Sequence, residues 1–193
     1  MSTIVARMDA FREKVSDPDF SKNKGLGNEI GFHIFDYDPK DEVEVRKRVG
    51  YIRDYLNKKD GGESIQIFDL YAIMIHFFEK RSYIEKNGQM EHEKGIDVLF
   101  SKMRKALKIA SEQDVFVRYI EEHLIESAIV VIIGVGKVFP ILRSHILLNN
   151  LQSVIEGQPL ILCYPGVYED NSLRLFNEFK DDHYYRAFRM VER

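Results

Sequence analysis

Apolar residues near the start of the chain recur at the spacing of one face of an α-helix. The stripe predicts a helix over residues 3–15 and consists of Ile4, Met8, Phe11 and Val15. The stretch from Phe20 to Asn28 then carries two glycines, two asparagines and two lysines, a composition typical of loops. We therefore predict that residues 1–24 contain an N-terminal helix and the beginning of a linker to the main fold.

Short apolar runs and amphipathic stretches alternate along the rest of the chain. The apolar runs predict five strands, at residues 30–35, 64–68, 128–133, 160–164 and 187–191. Helical periodicity predicts the intervening elements: helices over 39–57 and 70–84, a helical insertion over 88–126 divided in two, a helix over 140–157 and a short helix near 172–179. This alternation predicts an α/β fold, with an open, mostly parallel sheet of about five strands and helices on both faces.

The composition is that of a single globular domain. Of 193 residues, 45% are hydrophobic and 31% charged, so we predict one α/β domain over residues 1–193. No apolar run approaches 18 residues, and the single cysteine, Cys163, has no disulfide partner in the chain. We therefore expect a cytoplasmic protein that does not bind membranes and keeps Cys163 as an inert core thiol. A formal net charge of −3 argues against a protein whose whole surface binds nucleic acid, so we do not expect direct binding, although the charge leaves a local basic patch possible.

A glycine-rich turn follows the third predicted strand, where a phosphate-binding loop would lie. A P-loop requires a glycine where this chain has Val131 and a hydroxyl side chain where it has Val138. The match is therefore incomplete, and a structural turn in a degenerate P-loop or Rossmann-like architecture is the favoured interpretation. If the turn binds a phosphate or another anion without hydrolysis, the contacts come from Gly134, Gly136, Lys137 and Arg143.

Three acidic residues follow the first two predicted strands. Asp36, Asp38 and Asp69 stand at the edge of the sheet where open α/β proteins bind ligands, so they are a possible acidic cluster for a divalent cation. The competing interpretation is that Asp38 and Asp69 cap helices, which is the commoner use of aspartate at such junctions. We favour caps and expect no metal at this edge.

Polar residues interrupt the leucine-rich helix predicted after Pro140. His145, Asn149 and Asn150 form a possible functional cluster there, because asparagine is unfavourable inside a helix unless it has a specific hydrogen bond. A solvated surface is the alternative. The six histidines include no pair at metal-ligand spacing on one helix, so we expect neither zinc nor any other cofactor.

The C-terminal region is dense in aromatic and cationic side chains. Tyr184, Tyr185 and Arg186 are of the residue types that anchor protein interfaces, and we predict an interface there. The alternative is that the two tyrosines lie under a loop at the edge of the sheet.

Several segments together resemble one known family. The segments are residues 27–29, 35–42, 134–140, 142–145, 149–151, 164–166, 172–176 and 181–188. They resemble the BrxB family, whose members are small proteins of the bacterial BREX phage-defence systems. The resemblance extends over nearly the whole chain, and the run from Gly134 to Asn150 is its most distinctive part.

The resemblance implies a role inside a multi-protein defence system that contains a DNA methyltransferase, a large ATPase and a PglZ-type alkaline-phosphatase-like protein. It brings no established catalytic residues. We therefore expect a non-catalytic interaction subunit whose direct partner is the PglZ-type protein, with contacts to other BREX components.

Two other functions remain open at this point. One is a nucleotide- or nucleic-acid-sensing module that uses the Gly134–Lys137 turn. The other, ranked last, is a metal-dependent phosphoryl-transfer enzyme that uses Asp36, Asp38 and Asp69.

Overall fold

The computed structural model describes residues 3–22, 31–58, 64–155, 157–181, 183, 185 and 187–193. Within them the strands are Phe32–Tyr37 (β1), Ile65–Asp69 (β2), Ile129–Ile133 (β3), Leu160–Glu169 (β4), Ser172–Leu175 (β5), Phe179–Asp181 (β6) and Phe188–Arg189 (β7). The helices are Ile4–Val15 (α1), Pro18–Ser21 (α2), Glu42–Asn57 (α3), Leu70–Lys80 (α4), Ile84–Lys94 (α5), Ile96–Ala106 (α6), Val115–His123 (α7), Val135–Val138 (α8) and Ser144–Leu151 (α9). Among the described residues, no helix is both long and apolar enough to cross a membrane.

Five strands form a parallel sheet in the order β2-β3-β4-β1-β7. The second half of β4 leaves this sheet and pairs antiparallel with β5, which pairs in turn with β6. The predicted open, mostly parallel sheet with helices on both faces is therefore confirmed.

The direction of each crossover decides which face a helix covers. The chain moves across two strands from β1 to β2 and then returns one strand at a time to β3 and β4. Because parallel crossovers are right-handed, opposite directions place their helices on opposite faces. Accordingly, α3 packs on one face, where α1, which precedes β1, also lies, whereas α4, α7, α8 and α9 pack on the other.

Strand β3 is buried on both faces of the sheet. Ile129 and Val131 contact the α1–α3 side, and Val130 and Ile132 contact the α4–α9 side. All five β3 residues are buried, which explains why this segment is apolar throughout rather than alternating.

Helix α3 forms where its sequence predicts it. Asp38 accepts a hydrogen bond from the Lys40 backbone at 3.1 Å and opens a single 3-10 turn over Pro39–Asp41, from which α3 continues. Its buried stripe is the predicted one and consists of Val45, Val49, Ile52 and Leu56. Asp69 caps α4 in the same way, accepting from the Tyr71 and Ala72 backbones at 2.9 and 3.3 Å.

Several predicted helices are wrong in type or extent. The short helix expected near residues 172–179 is the β5–β6 hairpin, because Leu173 and Leu175 are buried while Arg174 between them is exposed, a period of two. The helix expected over 140–157 is only α9, since Pro140, after a cis peptide bond, lies in the turn that precedes it. The helical region after β2 holds four helices, and Gly95, at φ +81°, separates α5 from α6.

Some predicted segments fall outside the described residues. They are residues 23–30, which include the expected linker and the Gly27–Glu29 part of the family resemblance, and residues 59–63 of the turn before β2.

A buried carboxylate joins the two ends of the described fold. The Asp36 side chain, fully buried in β1, contacts the guanidinium groups of Arg7 at 3.2 Å, Arg189 at 3.0 Å and Arg193 at 2.9 Å. It also accepts a hydrogen bond from the Tyr168 backbone at 3.2 Å. This single side chain therefore connects α1, β4, β7 and Arg193 to strand β1.

His33, also in β1, is buried without a charge partner. Its ring lies 4.8 Å from the Phe20 ring and 5.7 Å from the Phe188 ring. Neither ring nitrogen has a hydrogen-bond partner in the described structure. Burial and, to a lesser extent, the nearby Lys14 lower the pKa of His33 to about 4, so the imidazole is neutral at physiological pH.

We predict that Asp36→Asn lowers the free energy of unfolding by about 3 to 5 kcal/mol, because it leaves the buried Arg7 guanidinium and two partly buried ones without their counter-charge. Chemical denaturation measures the effect. Asp38→Asn is the matched control and should cost about 1 kcal/mol or less, since Asp38 is a half-exposed cap. Equal losses in the two variants would contradict the importance of the Asp36 carboxylate.

We predict that His33 weakens the fold as the pH falls from about 6.5 to 4. The unfolded chain binds the proton near pH 6.5 and the folded chain only near pH 4, so this part of the stability is complete above 6.5 and is lost below it. The loss should approach about 3 kcal/mol by pH 4. His33→Leu should remove it and His92→Leu, at an exposed position, should not. Parallel stability curves for wild type and His33→Leu would contradict the prediction.

Candidate functional site

The two glycines of the Gly134–Lys137 turn are in contact with side chains of this chain. Gly134 has φ +81°, and a Cβ built there would lie 2.6 Å from Oδ1 of Asp69. A Cβ on Gly136 would lie 2.7 Å from the ring of Phe176. The glycines therefore allow α4 and the β5–β6 hairpin to pack closely on the turn. The carboxylate beside Gly134 disfavours an anion at that position.

The two predicted cations near this turn do not converge on it. The Lys137 ammonium lies 5.4 Å from the centre of the Tyr71 ring, in a cation–π contact at the surface. Arg143 is exposed at the start of α9 and gives that helix no side-chain cap. Because α8 spans only four residues, it does not present the aligned amides of a long helix to a phosphate.

The structure does not bring Asp36, Asp38 and Asp69 together. Strands β3 and β4 lie between β1 and β2, so three strand spacings of about 4.8 Å, roughly 14 Å in all, separate Asp69 from the end of β1. The Asp36 carboxylate is bound to arginines, and the other two aspartates cap the 3-10 turn and α4. The acidic cluster considered from the sequence is therefore not formed.

The predicted polar cluster of α9 is divided between different environments. Asn149 is exposed and lines a small cavity together with His145. Nδ2 of Asn150 is buried without a hydrogen-bond partner in the described part of the chain. His145 is bound to a residue far away in sequence, Asp181.

His145, Asp181, His183 and Tyr185 form what we name the imidazole–carboxylate cluster. Nδ1 of His145 lies 3.0 Å from Oδ2 of Asp181, and Nδ1 of His183 lies 2.5 Å from Oδ1. The Tyr185 hydroxyl donates to Oδ2 at 2.6 Å. The two imidazole rings stack with their centres 3.7 Å apart and their planes 16° from parallel. Three side chains therefore converge on one carboxylate.

The cluster keeps Asp181 ionised. Partial burial opposes ionisation, but hydrogen bonds from Tyr185, His145 and His183 outweigh it and lower the pKa of Asp181 to about 2. Burial and the same carboxylate raise the pKa of Tyr185, so its hydroxyl remains a donor. A permanent negative charge therefore faces two imidazoles at neutral pH.

Three cavities open beside the cluster. One of about 310 Å³ is lined by Arg143, Ser144, Tyr164, Lys180 and Asp181. A second of about 220 Å³ is lined by His145, Asn149, His183 and Tyr185, and a third of about 410 Å³ reaches His183 from the hairpin side. The imidazole–carboxylate cluster is accessible to a small ligand, and it is our candidate functional site.

The predicted interface at residues 184–186 needs correction at its central residue. Tyr185 is only 5% exposed and directs its hydroxyl to Asp181, so it is part of the packed cluster rather than a protruding anchor. Tyr184 and Arg186 lie outside the described residues.

Sequence reasoning named His145 but missed Asp181 and His183. The histidines come from α9 and from the segment after β6, and no local spacing connects them. The available signal was the Asp-x-His pattern of residues 181–183. The sequence predicts a helix over the adjacent residues 172–179, and a helix there hides the approach of β6 to α9.

The fold and this site define the class of the protein as an open parallel α/β protein with a packed glycine turn where NTPases have a phosphate loop. Comparison with known families then adds a match between residues 66–190 and the model of the family described as "BREX protein BrxB". Because the match covers more than half of the chain, the chain belongs to the BrxB family of BREX-system proteins.

Two relatives show the same membership over the whole length. The chain is 46% identical over 193 residues to a protein named "BREX protein BrxB" from Bacillus cereus (strain H3081.97), covering all of both chains. It is 31% identical over 185 residues to one of the same name from Escherichia coli O9:H4 (strain HS), covering 96% of this chain and 90% of the relative. No solved structure shows a significant match.

We predict that Tyr185→Phe lowers the free energy of unfolding by about 1.5 to 3 kcal/mol, because it removes a hydrogen bond to a charged acceptor. Denaturant titration measures the loss. Tyr55→Phe, at an exposed position on α3, should change stability by no more than about 0.5 kcal/mol. A Tyr185→Phe effect as small as that of the control would show that the hydroxyl does not hold Asp181.

Proposed function

We propose that the protein is a non-catalytic docking subunit of a BREX anti-phage defence system. In this proposal it acts in the cytoplasm, binds the PglZ-type alkaline-phosphatase-like component, and through it reaches other BREX components. Membership of the BrxB family supports the BREX setting. The observation that carries the docking role is the outward face of α3, which has the character of a protein-binding surface.

Helix α3 has large apolar or aromatic side chains on its solvent side as well as in the core. The outward residues, which we name the α3 stripe, lie one turn apart and are Val43, Lys47, Tyr51 and Tyr55. Val43 is 68% exposed, and Tyr51 and Tyr55 are each 61% exposed. Three exposed apolar or aromatic side chains on one helix face are typical of an interaction surface, whereas scattered single residues are not.

The residue types of the α3 stripe are suited to a protein partner. Tyrosine offers a large apolar ring and a polar hydroxyl at low entropic cost, and it is enriched among residues that dominate binding energy. The Lys47 ammonium lies 5.8 Å from the Tyr51 ring, so the ring is held beside a cation rather than packed in the core. The stripe therefore supplies anchors that gain contacts when a partner covers them.

Gly50 lies inside α3, next to Tyr51, and no contact among the described residues requires a glycine at this position. A Cβ built on Gly50 would meet no atom of the surrounding fold within 4 Å. Glycine inside a helix costs roughly 1 kcal/mol relative to alanine. We attribute this cost to binding, because a residue without a side chain lets a partner's backbone approach the helix between the exposed side chains.

Other features support a role without catalysis. The glycine turn is packed by Asp69 and Phe176, and the Asp36 carboxylate is bound to arginines. Cys163 is completely buried, and burial raises the pKa of its thiol, which opposes use as a nucleophile.

We predict that Tyr51→Ala combined with Tyr55→Ala weakens binding of the PglZ-type component at least tenfold, because it removes two aromatic anchors. Co-expression followed by size-exclusion chromatography, with affinities by calorimetry, measures the effect. Tyr71→Ala, on the opposite side of the sheet, is the matched control and should leave binding unchanged. Separate elution of the wild-type proteins at micromolar concentration would contradict the docking role.

A second substitution separates binding from folding. Gly50→Ala should raise the free energy of unfolding of the isolated protein by roughly 1 kcal/mol, because alanine favours the helix and its Cβ meets open space. The same substitution should weaken the complex, since the added methyl group stands between α3 and its partner. A complex that tightens or stays unchanged in Gly50→Ala would place the partner on another surface.

A further inference from the structure

We infer that His145, Asp181 and His183 form a binding site for one divalent transition-metal ion, with Zn²⁺ the best match. This inference concerns the isolated protein and does not rest on the proposed docking function. It assigns metal binding to the side chains of the imidazole–carboxylate cluster, which are joined by hydrogen bonds in the structure.

The ligand chemistry selects the class of metal. Two imidazoles and one carboxylate suit borderline cations such as Zn²⁺, whereas Mg²⁺ and Ca²⁺ prefer sites made of oxygen ligands alone. One potential ligand atom from each residue lies within 4.8 Å of the other two. Among the described residues, no other group of three histidine, cysteine or acidic side chains has its ligand atoms close enough together to hold a metal ion.

Two changes separate the observed cluster from a coordinated one: slightly longer nitrogen–oxygen distances and a tilt of one imidazole out of the ring stack. Ligand atoms about 2.1 Å from a tetrahedral ion stand about 3.4 Å apart. The nitrogen–oxygen distances are now 3.0 Å from Nδ1 of His145 to Oδ2 of Asp181 and 2.5 Å from Nδ1 of His183 to Oδ1, which are hydrogen-bond lengths. A bound metal ion would replace the bridging protons and lengthen each of these nitrogen–oxygen distances by less than about 1 Å. It also requires one imidazole to leave the stack so that its lone pair meets the ion.

The three ligand side chains differ in exposure in the way that this change requires. The side chains of His145 and Asp181 are each only 15% exposed and belong to α9 and β6. The side chain of His183 is 54% exposed, so its ring can tilt without disturbing the core. Two fixed ligands and one adjustable ligand can therefore close around an ion.

Tyr185 supports the site from behind. Its hydroxyl holds Oδ2 of Asp181 at 2.6 Å, and a hydrogen bond of this kind orients a carboxylate ligand and strengthens metal binding. Three protein ligands leave a fourth position for water or a ligand, and the cavities beside Asp181 and His145 give access to that position.

Metal titration of tag-free protein, stripped with EDTA and dialysed, tests the inference. Calorimetry with Zn²⁺ should show one equivalent bound, and Co²⁺ should give the visible absorption of a four-coordinate nitrogen–oxygen site. Zn²⁺ should also raise the melting temperature of the wild type. His183→Ala should weaken binding by at least about 10-fold, as should His145→Ala, while His92→Ala, at an exposed position on α5, should not.

The variants distinguish a built site from incidental binding. His183→Ala changes an exposed ring, so it should fold like the wild type, and circular dichroism and melting in EDTA verify this. If the wild type binds no Zn²⁺, or binds it with an affinity that both His183→Ala and His145→Ala leave unchanged, the cluster is a hydrogen-bonded latch only and the inference fails. Loss of binding in a folded His183→Ala protein supports it.

Discussion

The ion pairing of the buried Asp36 carboxylate is the interaction on which the packing of the two ends of the described chain against the sheet depends. A buried charge is strongly unfavourable unless it is paired, and here one carboxylate is paired with Arg7, Arg189 and Arg193. These arginines come from α1, β7 and the residues after β7, so the pairing joins segments from opposite ends of the chain. The arginines also donate to backbone carbonyls, including Val191 and Gly166, which distributes their excess positive charge over several acceptors.

The crossover geometry explains why such a tie is needed. The face of the sheet opposite α4–α9 receives a single crossover helix, α3, because only the step from β1 to β2 moves in that direction. One helix cannot cover the sheet, and α1 completes the layer through Met8, Phe11 and Val15. The thinner layer also leaves the outer side of α3 free, which is where the tyrosines are exposed. The exposed face of α3 and the pairing of Asp36 with arginines thus belong to the same side of one topology.

Much of the main sheet could be predicted from the sequence, because its strands are buried runs and its helices α3 and α4 have clear caps and stripes. The hairpin could not, since Ser172–Leu175 is too short for a period of two to stand out from a helical one. The imidazole–carboxylate cluster was missed for a related reason. His145 and Asp181 become neighbours only when the hairpin folds back over α9, and sequence spacing carries no trace of that contact. Asp36, Asp38 and Asp69 are the opposite case. They follow two consecutive strands of the sequence, but the sequence does not reveal that two other strands lie between those strands in the sheet.

The Asp36 tie has a consequence for folding during protein synthesis. Residues 4–15 leave the ribosome before the rest of the described chain, and their helix is amphipathic enough to need a partner surface. That surface includes β1, whose neighbours β4 and β7 are translated much later, and Arg189 and Arg193 come last of all. The first helix of the described chain is therefore expected to be among the last to dock, and until then its apolar stripe is available to chaperones.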